Sequence, residues 1–137
     1  MNTIFHQLFQ HNRFLTKELN EVLAKHGLYL AQWTLLFILS ERGAMSLTSI
    51  WKYLNVEAPT VTRTVTRLEQ MGYVEKLAGE DRREKIIQLT PHAESKLPAI
   101  VQDVKVFEEK MLRRLNEQDI TQLEKILQKM KGDEAWK

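Results

Sequence analysis

Between Pro59 and Met71 the side chains best suited to grip another molecule fall on one side of a helical wheel drawn at about 100° per residue. The projection gathers Pro59, Thr60, Arg63, Thr66, Arg67 and Gln70 on one arc, with Thr62 at its edge. Arginine offers a planar fork of donors that matches guanine O6/N7 or a phosphate, and threonine suits a phosphate or a thymine methyl. A face that only met water would carry glutamate and lysine. Threonine is a mediocre helix former, so its repetition here needs another reason. The opposite side, Val61, Val65, Leu68 and Gly72, is expected to face a core.

A second cluster follows at Ala78-Gly79-Glu80-Asp81-Arg82-Arg83. Arginines on a loop between two strands can enter a narrow minor groove, where the negative potential is strongest. A nearby aspartate can pair with a guanidinium and fix its direction. Arg83 is therefore expected to be the minor-groove residue and Asp81 its orienter, with Arg82 touching phosphate or packing on the ribbon. A solvated charged turn is the plainer alternative for this loop alone.

The elements that must position these clusters are legible from spacing. Apolar residues from Ile4 to Lys25 follow helical periodicity, and Gly27 closes that helix. A very apolar helix runs from Leu30 to Leu39 and ends at Arg42-Gly43. Ser46 caps a short helix to about Tyr53, Asn55-Val56-Glu57 form a turn, and Pro59 fits the first turn of the helix that ends at Gly72. Tyr73–Leu77 and Lys85–Leu89 alternate as strands, with Gly79 at the tip. Thr90 then caps a long helix with Pro91 in its first turn. Pro98 predicts a kink or offset there, followed by resumption through Ile100, Val104, Phe107, Met111 and Leu115. Asn116 or a neighbour ends it, and Gln118–Met130 forms a last amphipathic helix before a frayed tail.

This order predicts a mainly α fold with a small β-wing: a winged helix-turn-helix core flanked by terminal helices, all within residues 1–137 as one domain. Leu8, Leu15, Leu19 and Leu23 at one end, and Leu115, Leu123, Ile126 and Leu127 at the other, need a surface to cover them. Interlocking of two copies is the simplest solution; folding back on the same chain is the alternative.

Several chemistries are excluded by what the 137 residues lack. With no cysteine there is no disulfide, thiolate metal site or thiol redox sensor. His6, His11, His26 and His92 are scattered, without the spacing of a metal site, so no metal is expected. There is no Ser/His/Asp ordering, glycine-rich phosphate loop or HExxH, so no catalytic residues, no cofactor and no enzyme are expected. Hydrophobic residues at 43% and charged residues at 28% are those of a globular chain, and apolar runs are too short to span a bilayer. The start of the chain lacks a signal-peptide pattern, which leaves a cytoplasmic protein as the expectation. A formal charge of only +2 means that a few well-placed arginines, doubled by two-fold symmetry, would have to carry any nucleic-acid contact.

These motifs together carry a resemblance. Leu54, Val56, Pro59-Thr60-Val61-Thr62-Arg63, Val65, Arg67-Leu68-Glu69 and Gly72-Tyr73-Val74-Glu75-Lys76 are followed by Gly79-Glu80-Asp81-Arg82-Arg83, Lys85, Ile87 and Leu89-Thr90. The combined pattern resembles the MarR family of bacterial transcriptional regulators, from about Ser46 to Thr90. Gly27–Leu39 and the long terminal helices match the family layout too. One departure is Ala93, where many members have glycine. The resemblance implies a DNA-binding lobe at about 30–90 and dimerisation helices at about 1–29 and 91–137. It implies a homodimer on an inverted-repeat operator in double-stranded DNA, usually repressing. Carried over by position, Pro59, Thr60, Thr62, Arg63 and Arg67 belong to the recognition helix, and Asp81 and Arg83 to the wing.

The family often responds to small anionic aromatic or lipophilic effectors bound between lobe and dimer helices. Phe9, Phe14, Trp33, Phe37 and Trp51, with Arg13 as a charge for a carboxylate, could line such a pocket; core filling is the simpler role for these aromatics. The rival to a DNA reader is a winged helix that docks on another protein. That reading predicts an apolar or acidic recognition face, and the threonines and arginines argue against it.

Overall fold

The computed structural model describes residues 2–80 and 83–132. Helix α1 (Thr3–Leu23) continues into a 3-10 turn (Ala24–His26) and closes at Gly27, whose φ is 70°. Helix α2 (Leu30–Arg42) leads to the two-residue strand β1 (Met45–Ser46), α3 (Leu47–Leu54) and α4 (Ala58–Gln70). Strands β2 (Val74–Ala78) and β3 (Lys85–Leu89) form the ribbon, and α5 (Pro91–Leu112) and α6 (Glu117–Lys131) complete the chain. The sheet is antiparallel with order β1-β3-β2. The mainly α fold with a small β-wing is as expected.

The caps explain the boundaries. The Ser46 hydroxyl accepts the Ser49 N–H at the start of α3. The Thr90 hydroxyl does the same for Ala93 in α5, where Pro91 needs no donor. Asn55 ends α3 in the left-handed region, at φ 55°, and turns the chain into α4.

One apolar core unites α2, α3, α4, the sheet and the inner parts of α1 and α5. Leu23, Ile50, Val65, Leu68 and Ile87 are fully shielded, with Leu35, Leu36, Leu39 and Ile100 beside them. Ser46 is the one buried polar side chain among the described residues. No single helix among them is long and apolar enough to cross a membrane. The α1–α2 pair, bent by 76°, passes by length and composition only jointly, and Trp33, Leu35, Leu36, Ile38 and Leu39 of α2 belong to the core.

Several expectations change. Pro98 does not interrupt α5, which runs unbroken from Pro91 to Leu112. The proline is exposed, so the helix carbonyl it leaves unpaired can meet water. The helix stops at Leu112, ahead of Leu115, and Asn116 does not end it but caps α6, accepting the Asp119 N–H. Strand β1 was not anticipated; two residues have no readable period, and they are extended only because β3 runs alongside.

Gly72 is exposed and belongs to the turn after α4, not to its core face. Leu15, Leu19 and Leu23 do not wait for a partner: Leu23 is in the core, Leu19 packs against it and Leu15 is half-buried. The uncovered stripe of α1 is Ile4, Phe5, Leu8 and Phe9, matched at the other end by Leu115, Leu123, Ile126, Leu127 and Met130. Ala93, the departure from the glycine common in the family, is buried and helical without difficulty.

Leu68 anchors α4 in this core with no contact to water. Leu68→Ala is expected to cost about 2–5 kcal/mol of stability, the range for emptying a buried leucine site. Urea denaturation at fixed protein concentration measures it.

Candidate nucleic-acid interface

Helix α4 is held by one side only. Val61, Val65 and Leu68 are buried against the lobe, which leaves the opposite arc outside. Pro59, Thr60, Thr62, Arg63, Thr66, Arg67 and Gln70 are all exposed, as the wheel predicts. The structure brings all these sequence-derived residues of α4 onto one continuous face.

The threonine hydroxyls are not idle. Thr62 donates to the Ala58 carbonyl at 3.1 Å, Thr64 to Thr60 at 3.0 Å and Thr66 to Thr62 at 2.9 Å. Each bond runs back one turn along the helix. The one acid within α4, Glu69, pairs with Lys76 on β2, at 3.6 Å. Neither Arg63 nor Arg67 has a carboxylate partner among the described residues, so their charge faces outward. An exposed pair such as Glu69–Lys76 adds little stability.

The β2–β3 ribbon follows α4. The Gly79 N–H donates to the Glu84 carbonyl and closes the tip, and Glu75 accepts from the Gln88 amide across the two strands. Arg83 is exposed in the turn that leads into β3. Asp81 and Arg82, and with them the expected Asp81–Arg83 pairing and the phosphate role of Arg82, lie outside the described residues.

One cation was missed by sequence. Lys52 of α3 lines an open groove with Trp51, Asn55, Val56, Glu57, Ala58 and Pro59, beside the first turn of α4. A wheel drawn for α4 alone has no means of finding a lysine on the preceding helix; only the turn at Asn55 brings the two together.

The effector pocket suggested by the aromatics is not assembled. Trp33 is core, Trp51 is half-buried, and Phe9, Phe14 and Phe37 are exposed, so core filling is wrong for those three. Arg13 is held by the Gln10 side chain and lines an open cleft on α1 that includes none of these rings. Among the described residues no three histidine or acidic side chains converge as metal ligands. His26 instead meets Asp103 at 2.7 Å, tying the turn after α1 to α5.

Comparison with known proteins adds to this geometry. The sequence model of the MarR family matches residues 28–85. A relative from Bacillus subtilis (strain 168), the uncharacterized HTH-type transcriptional regulator YwoH, is 46% identical over 116 residues, 85% of each chain. The chain belongs to the MarR family. It is a MarR-family transcriptional regulator, and its fold agrees with solved members. A mutant MarR from E. coli complexed with operator DNA matches with a TM-score of 0.86 at 23% identity, covering 93% of this chain and 92% of that one. Overoxidized AbfR bound to DNA matches at 0.78 and 24%, covering 95% and 91%.

In this MarR-family chain the end of the Thr/Arg helix depends on Gly72, at φ 77°. A Cβ there would meet His92 Cδ2 at an ordinary 3.7 Å, so the backbone alone resists substitution. Gly72→Ala is expected to destabilise the protein by about 1–2 kcal/mol, the cost of a left-handed alanine. A thermal or urea melt checks it, and an unchanged midpoint would mean that the turn relaxes.

Proposed function

We propose that this chain works in the cytoplasm as a homodimer that recognises an inverted-repeat operator in double-stranded DNA, represses transcription there, and is released by a small anionic or aromatic effector. The observation that carries the reading is the exposed face of α4, two arginines and a run of threonines turned outward, with the helix's one glutamate paired to Lys76. The fold likeness to the MarR–operator and AbfR–DNA complexes supports it.

Pro59, Thr60, Thr62, Arg63, Thr66 and Arg67 enter the major groove, and Asp81, Arg82 and Arg83 serve the wing in the adjacent minor groove. In this reading residues of about 30–90 form the DNA-binding lobe, and about 1–29 and 91–137 form the dimerisation helices. Ile4, 62% exposed, and Ile126, 55% exposed, belong to apolar stripes that a lone chain leaves in water. A second copy covers them.

Two-fold symmetry gives regulation a physical basis. The paired α4 helices must stand about 34 Å apart, one DNA turn, to engage both half-sites. An effector that stabilises another spacing costs contacts at both half-sites together. A compound that weakens operator binding while sedimentation shows an intact dimer supports this step; a broad screen with no such compound removes it.

Two measurements test the rest. Arg63→Gln is expected to cost about 1–3 kcal/mol of operator affinity per half-site if it reads a base, or to lower the salt slope by about one per half-site if it meets phosphate. Fluorescence anisotropy across a salt series separates these outcomes, and unchanged affinity in both respects favours a protein-docking winged helix. Leu127→Glu places a charge in the apolar stripe of α6 and is expected to shift sedimentation equilibrium from dimer towards monomer. A variant as dimeric as the natural protein removes α6 from the interface.

A further inference from the structure

The bonds made by the α4 threonines restrict what those side chains can read. A threonine hydroxyl has one donor. In Thr62 that donor is given to the Ala58 carbonyl, and in Thr66 to the Thr62 carbonyl. What each still offers outward is an acceptor oxygen and a γ-methyl group. Phosphate oxygens, guanine O6 and N7, and thymine O4 all accept hydrogen bonds, so none of them suits a hydroxyl whose proton is already placed. The oxygen lone pair could still accept from adenine N6 or cytosine N4, which would make the hydroxyl the reader. The C5-methyl of thymine, by contrast, asks for no donor and meets the outward γ-methyl directly.

We infer that Thr62 and Thr66 are methyl readers, which select thymine in each half-site by apolar contact and leave the donor-dependent contacts to Arg63 and Arg67. This rests on the DNA-reading function proposed above and specifies its chemistry. Thr62 and Thr66 lie one turn apart on the exposed face, separated by about 6 Å of helix rise. For a helix lying along the groove this spans about two base-pair steps at 3.4 Å each. The half-site is therefore specified as two thymines about two base pairs apart, flanked by positions that arginine reads. Thr64 donates in the same way but is half-buried and lines a small apolar cavity between α2, α3 and α4, so it is not part of the reading surface.

The test begins by selecting duplexes from a random pool with the full-length protein. Thymines of the enriched half-site are then replaced one position at a time by deoxyuridine, which removes only the C5-methyl. Binding is compared for the natural protein and for Thr62→Ser, Thr66→Ser, Thr62→Val and Thr66→Val. The natural protein is expected to lose about fourfold in affinity per methyl removed, the worth of one buried methylene-sized group. Changing one position in both half-sites then costs about 15-fold. Each serine variant loses its sensitivity to deoxyuridine at one position, while each valine variant keeps it. The thymine-to-deoxyuridine ratio is taken within each variant, so a loss of folded protein does not imitate the result.

Equal binding to thymine and deoxyuridine operators overturns the inference and leaves the DNA-reading function intact. So does the reverse pattern, in which valine variants lose affinity and serine variants retain both affinity and the thymine preference, because the hydroxyl is then the reader. If no sequence is enriched, the DNA-reading function fails and this inference fails with it.

Discussion

The hydroxyl of Thr90 ties the end of α4 to the start of α5. It donates to the Gly72 carbonyl and accepts the Ala93 N–H, while the Thr90 N–H donates to the Tyr73 carbonyl. Both strands of the wing meet at the same place, where Val74 pairs with Leu89. The buried Tyr73 ring lies 5.4 Å from His92, centre to centre. Helix α4, the wing and α5 therefore leave one compact joint rather than being strung on linkers. A displacement of α5 relative to the lobe must carry α4 along or break these bonds. The direction in which the Thr/Arg face points is set here.

Packing divides the chain into a finished part and an unfinished one. The lobe buries leucine, isoleucine and valine with Ser46 as its one buried polar side chain among the described residues, and that hydroxyl is occupied at the α3 cap. Its order comes from apolar burial and capping, with no buried charge to compensate. Helix α1 belongs to both parts. Its second half, through Leu19 and Leu23, is joined to the lobe, and His26 reaches Asp103 on α5. Its first half, with Ile4, Phe5, Leu8 and Phe9, is apolar and left exposed by the described residues.

Local signals were legible in the sequence and neighbour-dependent ones were not. Gly27, Ser46, Pro59, Gly72 and Thr90 act at their own positions, through φ, a cap or a missing donor, so helix ends could be read from them. The outward face of α4 followed from period alone. Strand β1 was invisible because its conformation is borrowed from β3. Periodicity marked Leu15, Leu19 and Leu23 as apolar but could not say whether α5 and α2 or another molecule would cover them. The continuity of α5 through Pro98 was hidden for a similar reason, since a proline costs a helix less where its freed carbonyl faces solvent. Lys52 reached the candidate interface only through the fold of the helix-turn-helix corner.

The one-sided anchoring of α4 also bears on how such a protein diversifies. Val61, Val65 and Leu68 hold the helix, while Thr62, Arg63, Thr66 and Arg67 touch no part of the core. Changes on the outer arc are therefore nearly free of folding consequence. After gene duplication, the outer arc can drift from one DNA word to another through intermediates that all still fold, so the vocabulary of the scaffold can grow without rebuilding it.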